Sequence, residues 1–192
     1  MTDSAEQLIR DGYRARRENR PADAHRDFLA AVSLCRQTGA HHELVRALKG
    51  LGQIERDRGQ GDEARPLYEE AVALCREAGD PLDLAHTVRH LGDIHQDAAR
   101  LELAEPCYDE ALAIYRSNEG TPTLDLANAV RPMAILKEAA GEVEEARRLW
   151  EEAGKLYEAV NVQPGVAESS ARLARLGGGP RPESAEDTPR NA

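Results

Sequence analysis

Residues 91–116 read LGDIHQDAARLELAEPCYDEALAIYR, and this stretch lies across the break between two apolar patterns. The first pattern begins upstream and advances in steps of three and four residues: Leu84, Val88, Leu91 and Ile94. The second repeats those steps: Leu103, Ala104, Cys107, Tyr108, Ala111 and Ile114. Steps of this size place one apolar stripe along a helix. Because the break at Ala99-Arg100 is short, the stretch predicts two antiparallel helices, which we name helix A and helix B.

The same unit recurs along the chain, at shifts of 40 residues and, for the last unit, 42. A small residue recurs early in helix B: Ala24, Ala64, Ala104 and Ala146. Four residues later each unit has a large ring: Phe28, Tyr68, Tyr108 and Trp150. Three residues beyond the ring comes a second alanine: Ala31, Ala71, Ala111 and Ala153. A fixed period of this length predicts a stack of helical hairpins, because one hairpin alone cannot bury both of its apolar faces.

Glycine and proline indicate the boundaries. Gly39, Gly79 and Gly120 separate units, and Asp80-Pro81 and Thr121-Pro122 are helix-start signals. Within units, glycine or asparagine tolerates the left-handed conformation that ends a helix, which Ala99 fits less well. We expect a flexible N-terminus (1–4), a repeat domain (5–176) and a disordered tail (177–192). The domain divides into units of about 5–40, 41–80, 81–121 and 122–162, with a capping helix at 164–176.

These positions resemble the tetratricopeptide repeat pattern, W-x2-L-G-x2-Y…A-x3-F, at its L-G, A and F positions. Leu48, Val88 and Val130 stand in the Trp position, and the Tyr position is lost. The period of 40–42 resembles that of kinesin-light-chain repeats, over about residues 5–162. The resemblance implies an all-α protein: an α-solenoid, coiled as a right-handed superhelix, of about four hairpins plus a capping helix. It also implies protein or peptide binding as a class, with the partner left open.

Composition narrows the function. The formal net charge of −10 disfavours binding to nucleic acid or to anionic membranes. No apolar run approaches the roughly 20 residues of a membrane-spanning helix, and the first residues lack the apolar centre of a secretory signal. The three cysteines, Cys35, Cys75 and Cys107, show no metal-binding spacing. We therefore expect a cytoplasmic protein with no nucleic-acid partner and no membrane association.

The resemblance further implies that the A helices line a concave groove. The predicted groove residues are Arg10, Tyr13, Arg16, Arg17, Arg46, Lys49, Gln53, Arg56, His86, Arg89, His90 and Arg131. The groove positions carry +2, +2, −1 and 0 in units one to four, so we expect a basic groove, chiefly across units one and two. Arginine suits carboxylates, which favours an acidic or extended peptide with Tyr13 as an aromatic platform. The alternative is that these cations pair with Asp and Glu of neighbouring helices, which contributes little.

Other hypotheses remain open. His86 and His90 share a helix face, with Asp93 three residues on; the spacing permits metal binding, but we expect no metal and no cofactor. Protonation of this His pair below about pH 6.5 would make the groove more basic. The chain shows no catalytic motif, and we expect no enzyme. The rival functions are a self-associating structural module, with homo-oligomers, and a sensor or regulatory fragment of a larger signalling or transcription protein. Reversing the charge at Arg46 and Lys49 is expected to abolish binding without changing the melting temperature.

Overall fold

A computed structural model describes residues 2–177, and within this range the chain forms nine helices and no strand. The helices are α1 (Thr2–Arg17), α2 (Pro21–Thr38), α3 (His41–Asp57), α4 (Gly61–Ala78), α5 (Pro81–Asp97), α6 (Leu101–Ser117), α7 (Thr123–Ala139), α8 (Val143–Ala159) and α9 (Gln163–Gly177). Each odd-numbered helix up to α7 packs against the next as a hairpin, and successive hairpins stack through α2–α3, α4–α5 and α6–α7. The fold is therefore an all-α solenoid of four hairpins, with α9 packed against α8.

The predicted N-terminal boundary of the domain differs from that of the structure, and the predicted tail lies outside the described residues. Helix α1 begins at Thr2, so it includes residues 2–4, which the sequence assigned to a flexible N-terminus. From residue 178 onward the predicted disordered tail lies outside the described residues, as does Met1. None of the helices between residues 2 and 177 is long and apolar enough to cross a membrane.

The turns inside the hairpins share one backbone conformation. Their left-handed residues have φ values of 54°, 76°, 56° and 78°: Asn19, Gly59, Ala99 and Gly141. Ala99 is the unfavourable member, because a Cβ crowds the backbone in this region. The sequence had indicated that alanine fits this position less well than glycine or asparagine. The chain adopts the left-handed turn at Ala99 all the same.

The boundaries between units are less uniform than the sequence suggested. Gly39 and Gly79 are left-handed, with φ of 71° and 72°. Asp80 caps α5 as predicted, because its Oδ1 accepts a hydrogen bond from the Asp83 N–H at 3.1 Å. At the third boundary the predicted Thr121 cap is wrong: α7 begins at Thr123, and the Thr121 hydroxyl donates to the Tyr115 carbonyl at 2.8 Å.

The rings of the B helices pack against glycines of the A helices. A Cβ added at Gly52 would lie 2.7 Å from the Tyr68 ring, and one at Gly92 would lie 2.7 Å from the Tyr108 ring. The Phe28 ring is held between two helices, since added Cβ atoms would lie 2.9 Å away at Gly12 and 2.4 Å away at Gly50. Gly50 belongs to the next unit, so this ring joins hairpins as well as helices. The L-G glycines of units one to three, together with Gly50, therefore provide the space that these rings fill.

A ladder of ion pairs crosses the B helices from unit to unit. Its members are 34 to 36 residues apart: Arg36–Glu70, Arg76–Glu110 and Arg116–Glu152. The equivalent position before the first pair is Ala30, and the one after the last is Glu158. Ala30 stands where the ladder would need a glutamate, and Glu158 stands where it would need an arginine. The ladder therefore stops at Arg36 and at Glu152.

The first and last described helices, α1 and α9, differ in residue type from the equivalent inner helices. The positions of α1 equivalent to the buried Leu44, Ala47, Leu51 and Ile54 are polar: Ser4, Gln7, Asp11 and Arg14. Asp11 accepts hydrogen bonds from Gln7 at 3.0 Å and from Arg14 at 2.5 Å. On α9, the side that a helix B would cover is exposed and small: Ala167, Ser170, Ala174 and Gly177. A repeat stack needs such polar or small ends to stay soluble.

Candidate functional site: a concave pocket across units two to four

A cavity of about 810 Å³ opens on the side of the stack formed by the A helices α3, α5 and α7. Three cationic side chains line it, one from each helix: Arg56, Arg89 and Arg131. The lining also includes the carboxylates of Asp93 and Asp97. Unit four adds a less charged wall: Asn128, Pro132, Ile135 and Ala139. The pocket therefore offers cations, amide groups and apolar surface to one ligand.

The predicted groove residues separate into three groups. Four of them line the pocket: Arg56, Arg89, His90 and Arg131. Three line a separate cleft of about 430 Å³ on α1: Arg10, Tyr13 and Arg17. Five line neither cavity: Arg16, Arg46, Lys49, Gln53 and His86. The pocket thus lies across units two to four, whereas the charge count had placed the most basic region in units one and two.

Most of the predicted cations are already paired with carboxylates. The pairs are Arg10–Glu6, Arg16–Asp57, Lys49–Asp83, Arg56–Asp97, Arg89–Asp93 and Arg131–Glu168. Among the residues that the structure describes, Arg17 and Arg46 have no carboxylate oxygen within 4.0 Å. Four of these pairs join different helices and two lie within one helix, Arg10–Glu6 and Arg89–Asp93. The alternative interpretation of the sequence, pairing between neighbouring helices, therefore describes half of the eight predicted cations.

Lys49 has a structural role. Its side chain is only 14% exposed, and its ion pair with Asp83 joins α3 to α5. A carboxylate at position 49 would face Asp83 at close range. We therefore replace the expectation of an unchanged melting temperature: reversing Arg46 and Lys49 should lower it, because the reversal would destabilise the contact between units two and three.

Asp93 organises the floor of the pocket. This residue is 7% exposed. Its Oδ2 lies 3.3 Å from Arg56 Nη1, 3.1 Å from Arg89 Nη1 and 3.2 Å from His90 Nδ1, and its Oδ1 lies 3.0 Å from the Tyr108 hydroxyl. Burial alone would raise the pKa of Asp93, but the contact with His90 and the two guanidinium groups outweigh it and lower this pKa. Asp93 is therefore an ionised anchor that orients Arg56 and Arg89.

The two histidines are neutral: His90 lines the pocket, and the His86 ring packs beside it with the ring centroids 4.7 Å apart. Arg89 Nη2 lies 2.7 Å from His90 Nε2; because a guanidinium only donates, Nε2 accepts and the proton of the neutral ring resides on Nδ1. Burial lowers the pKa of His90, and it lowers the pKa of His86 to about 3, with Lys49 nearby. The hypothesis that this pair charges the groove below about pH 6.5 is therefore wrong. Within residues 2–177, no group of three or more His, Cys, Asp or Glu is placed to hold a metal ion.

Helix α9 adds a contact that the sequence analysis missed. Arg131 Nε and Nη2 donate to the two oxygens of Glu168, at 2.6 and 3.0 Å. Farther along α9, Arg172 Nη1 donates to Glu138 at 3.1 Å and lies over the Trp150 ring. The signal was present, since Glu168 stands 40 residues after Asn128, in the next equivalent groove position. Helix α9 therefore continues the wall of A helices.

Cys35 and Cys75 pack in the core of the stack. Both are buried, and burial raises the pKa of each thiol. Burial also raises the pKa of Cys107 to about 11. Thiols of this kind are not the thiolates that redox chemistry requires.

Comparison with known proteins identifies the repeats. The tetratricopeptide repeat model matches residues 12–77, 43–117 and 83–159 in three overlapping segments. This chain belongs to the tetratricopeptide repeat family. Repeats of this family generally mediate protein–protein interaction, and their fold is typically a non-catalytic scaffold. No curated protein sequence matches the chain significantly.

Solved structures with the same fold include a putative kinesin light chain from Podosopora anserina with nearly identical repeats. It has a TM-score of 0.73 and 17% identity, over 89% of this chain and 84% of that one. The apo form of RapI has a TM-score of 0.81 and 11% identity, over 87% and 60%. A signal-transduction ATPase with a tetratricopeptide repeat sensor, from Pyrococcus horikoshii, has a TM-score of 0.79 and 14% identity, over 90% and 26%. At these identities the likeness concerns the fold alone.

Proposed function

We propose that this tetratricopeptide repeat protein is an interaction scaffold or adaptor whose concave pocket binds an acidic or extended segment of a partner protein. The observation that supports this most is the pocket of about 810 Å³, with one arginine from each of three successive A helices. An extended segment that crosses these helices would meet a cation at each step. The cytoplasm is the proposed location, because Cys35, Cys75 and Cys107 are free thiols and a reducing compartment keeps them so.

Arg131 is the pocket cation best placed to accept a new partner. Its side chain is 41% exposed. Glu168 occupies its Nε and Nη2 groups, and a guanidinium has five N–H donors in all. A ligand carboxylate would either bind the remaining donors or displace Glu168. In this sense Glu168 is an internal competitor for an acidic ligand.

Self-association through the ends of the stack is the weaker alternative. The outer face of α1 carries polar side chains that bond to one another, as Asp11 does with Gln7 and Arg14. The outer face of α9 is made of small residues, which bury little apolar area. Neither face offers the apolar surface that stable homodimers bury.

The test uses a fluorescein-labelled decapeptide of glutamate, with a neutral Gly-Ser decapeptide as reference, in a fluorescence anisotropy titration. We expect the acidic peptide to bind more tightly and to weaken with added salt. Arg131→Gln should weaken binding about 10- to 100-fold, because a hydrogen bond to a charged group contributes about 1.5–3 kcal/mol. Glu168→Gln breaks the same internal pair but should strengthen binding, because it frees Arg131. Arg148→Gln, an exposed residue of α8, controls for the loss of one charge.

Two results would contradict the proposal. Equal binding of the acidic and neutral peptides would remove the role of charge. Equal weakening by Arg131→Gln and Glu168→Gln would show that the ion pair only holds α9 in place.

A further inference from the structure

At most junctions of the stack, a polar contact joins the start of one helix B to the end of the helix that follows in the next unit. At the first junction, His25 Nε2 lies 2.9 Å from Glu55 Oε1. At the third, Glu105 pairs with Lys137. At the fourth, Arg147 Nη2 donates to the Leu176 carbonyl at 3.2 Å. His25 and Glu55 hold the same repeat positions as Glu105 and Lys137, and Arg147 holds that of His25. At the fourth junction the acceptor is the backbone of Leu176, one residue before the equivalent Gly177, so the stack bonds here at three of its four junctions.

The second junction departs from this pattern. Its equivalent residues are Arg65 on α4 and His95 on α5, two basic groups. Arg65 Nε and His95 Nδ1 are both buried, and neither has a hydrogen-bond partner within the part of the chain that the structure describes. Unpartnered polar atoms of this kind are costly. The contact between units two and three therefore contains a mismatch that the other junctions lack.

The other charged groups around His95 are already engaged or oppose one another. On α4, Glu69 accepts a hydrogen bond from Arg65 Nη1 at 2.9 Å. In the turn before α6, Arg100 donates to Asp62 at 3.0 Å. Burial lowers the pKa of His95, Arg100 and Arg65 lower it further, and Glu69 and Glu102 act in the opposite direction. His95 itself is 8% exposed, so a proton on its ring would be poorly solvated.

We propose that the contact between units two and three is an acid-sensitive joint of the stack, which loosens when His95 takes up a proton opposite Arg65. The sign follows from linkage. The unfolded chain binds this proton more readily than the folded chain. The contribution of neutral His95 to the free energy of unfolding is therefore fully present above the ordinary His pKa of about 6.5 and falls as the pH drops below it. Arg56 lies on one side of the joint and Arg89 and Arg131 on the other. The joint therefore also controls the spacing of the pocket cations, although the inference does not depend on peptide binding.

The chain contains a matched pair of reporters for this joint. Cys35 and Cys75 are equivalent, both are buried, and they lie late in α2 and α4, where Cys75 Sγ is 3.6 Å from Asp83 and Thr87 at the start of α5. They belong to the first and second interfaces between units, at the end opposite to His25–Glu55 and Arg65–His95, and therefore report on opening of the whole interface. In two single-cysteine chains, with the other cysteines changed to Ala, the reaction rate with 4,4′-dithiodipyridine would be measured at pH 7.5 and pH 5.5. We expect the rate ratio of Cys75 to Cys35 to rise several-fold at pH 5.5. An unchanged ratio would overturn the proposal.

A melting experiment tests the same joint without altering the cysteines. Arg65→Glu places a carboxylate opposite His95, as Glu55 lies opposite His25, whereas Arg65→Lys keeps the mismatch. Between pH 7.5 and 5.5 the fall in Tm should be smaller in Arg65→Glu than in Arg65→Lys, by about 2–4 °C. In the His95→Gln background this difference should vanish, while His86 and His90 contribute equally to every variant. A difference that persists in that background, or one that is absent from the start, would refute the joint.

Discussion

The packing of Phe28 between two units predicts that Gly50→Ala destabilises the stack even though alanine favours a helix. The new Cβ would lie 2.4 Å from Phe28 Cε1, whereas carbon atoms pack at about 3.5–4.0 Å. The Phe28 ring cannot move aside easily, because the backbone of Gly12 also lies close to it. In addition, the Tyr13 ring packs edge-on against it, with the two ring centroids 4.9 Å apart. Overpacking of this kind costs about 1–3 kcal/mol, and alanine recovers about 1 kcal/mol of helix propensity.

Because the contact would be more than about 1 Å too short, we expect a cost in the upper half of that range, about 2–3 kcal/mol. The net loss should then be about 1–2 kcal/mol, which lowers the Tm by about 2–8 °C for a chain of this size. Thermal unfolding followed by circular dichroism measures it. Gly61→Ala is the matched control, since nothing lies within 4 Å of its added Cβ and its Tm should not fall. Phe28→Leu in the Gly50→Ala background should recover part of the loss. A Gly50→Ala chain that melts at or above the wild-type temperature would refute the packing described for this ring.

Three further predictions concern single features of the fold. Ala99→Gly should stabilise the chain by about 0.5–1 kcal/mol in urea unfolding, because glycine relieves the left-handed strain at some entropic cost. The control Ala98→Gly, at a residue whose φ is −87°, should not stabilise the chain. Equal effects of the two substitutions would contradict the strain at Ala99. Asp93→Asn should cost about 2–4 kcal/mol by leaving Arg56 and Arg89 without their shared anchor. Folding lowers the pKa of Asp93, so the stability that its carboxylate contributes is complete above about pH 4 and is lost as the pH falls further. The variant should therefore lose less stability between pH 5 and pH 3 than the wild type. An equal loss in both proteins would count against the role of Asp93 as an anchor. A double-mutant cycle of Arg76 and Glu110 should give a coupling of only about 0.2–1 kcal/mol, because this pair is exposed; a coupling of several kcal/mol would mean that the ladder is more than a surface feature.

The helices and their pairing could be predicted because they follow from contacts that recur at a fixed period. Ala64, Tyr68 and Ala71 lie close together on one helix, and the same pattern recurs in each unit. Helix starts were less predictable, as Thr121 shows, since an alternative hydrogen bond to the Tyr115 carbonyl competes with the cap.

The pairing of charges could not be read in the same way. Lys49 and Asp83 are 34 residues apart, and Arg131 and Glu168 are 37 apart. A count of charges on groove positions says nothing about which cation meets which carboxylate, because that depends on the angle at which the units stack. The ladder of the B helices was accessible in principle, since Arg36, Arg76 and Arg116 recur with the repeat.

A second series of ion pairs stops within the pocket. Arg16–Asp57 and Arg56–Asp97 connect the ends of successive A helices across units one to three. The next equivalent residues, Gln96 and Ala139, cannot form an ion pair, and both line the pocket. The charge count missed this difference between the units because it treated each unit separately.

The most direct test of the central claim is a map of where an acidic peptide binds. In a titration of the ¹⁵N-labelled chain with the glutamate decapeptide, followed by two-dimensional NMR, the shifted amides should lie on α3, α5 and α7, around Arg56, Arg89 and Arg131. The amides of α4, α6 and α8 should stay in place. Shifts confined to those B helices, or spread evenly over the chain, would contradict the account.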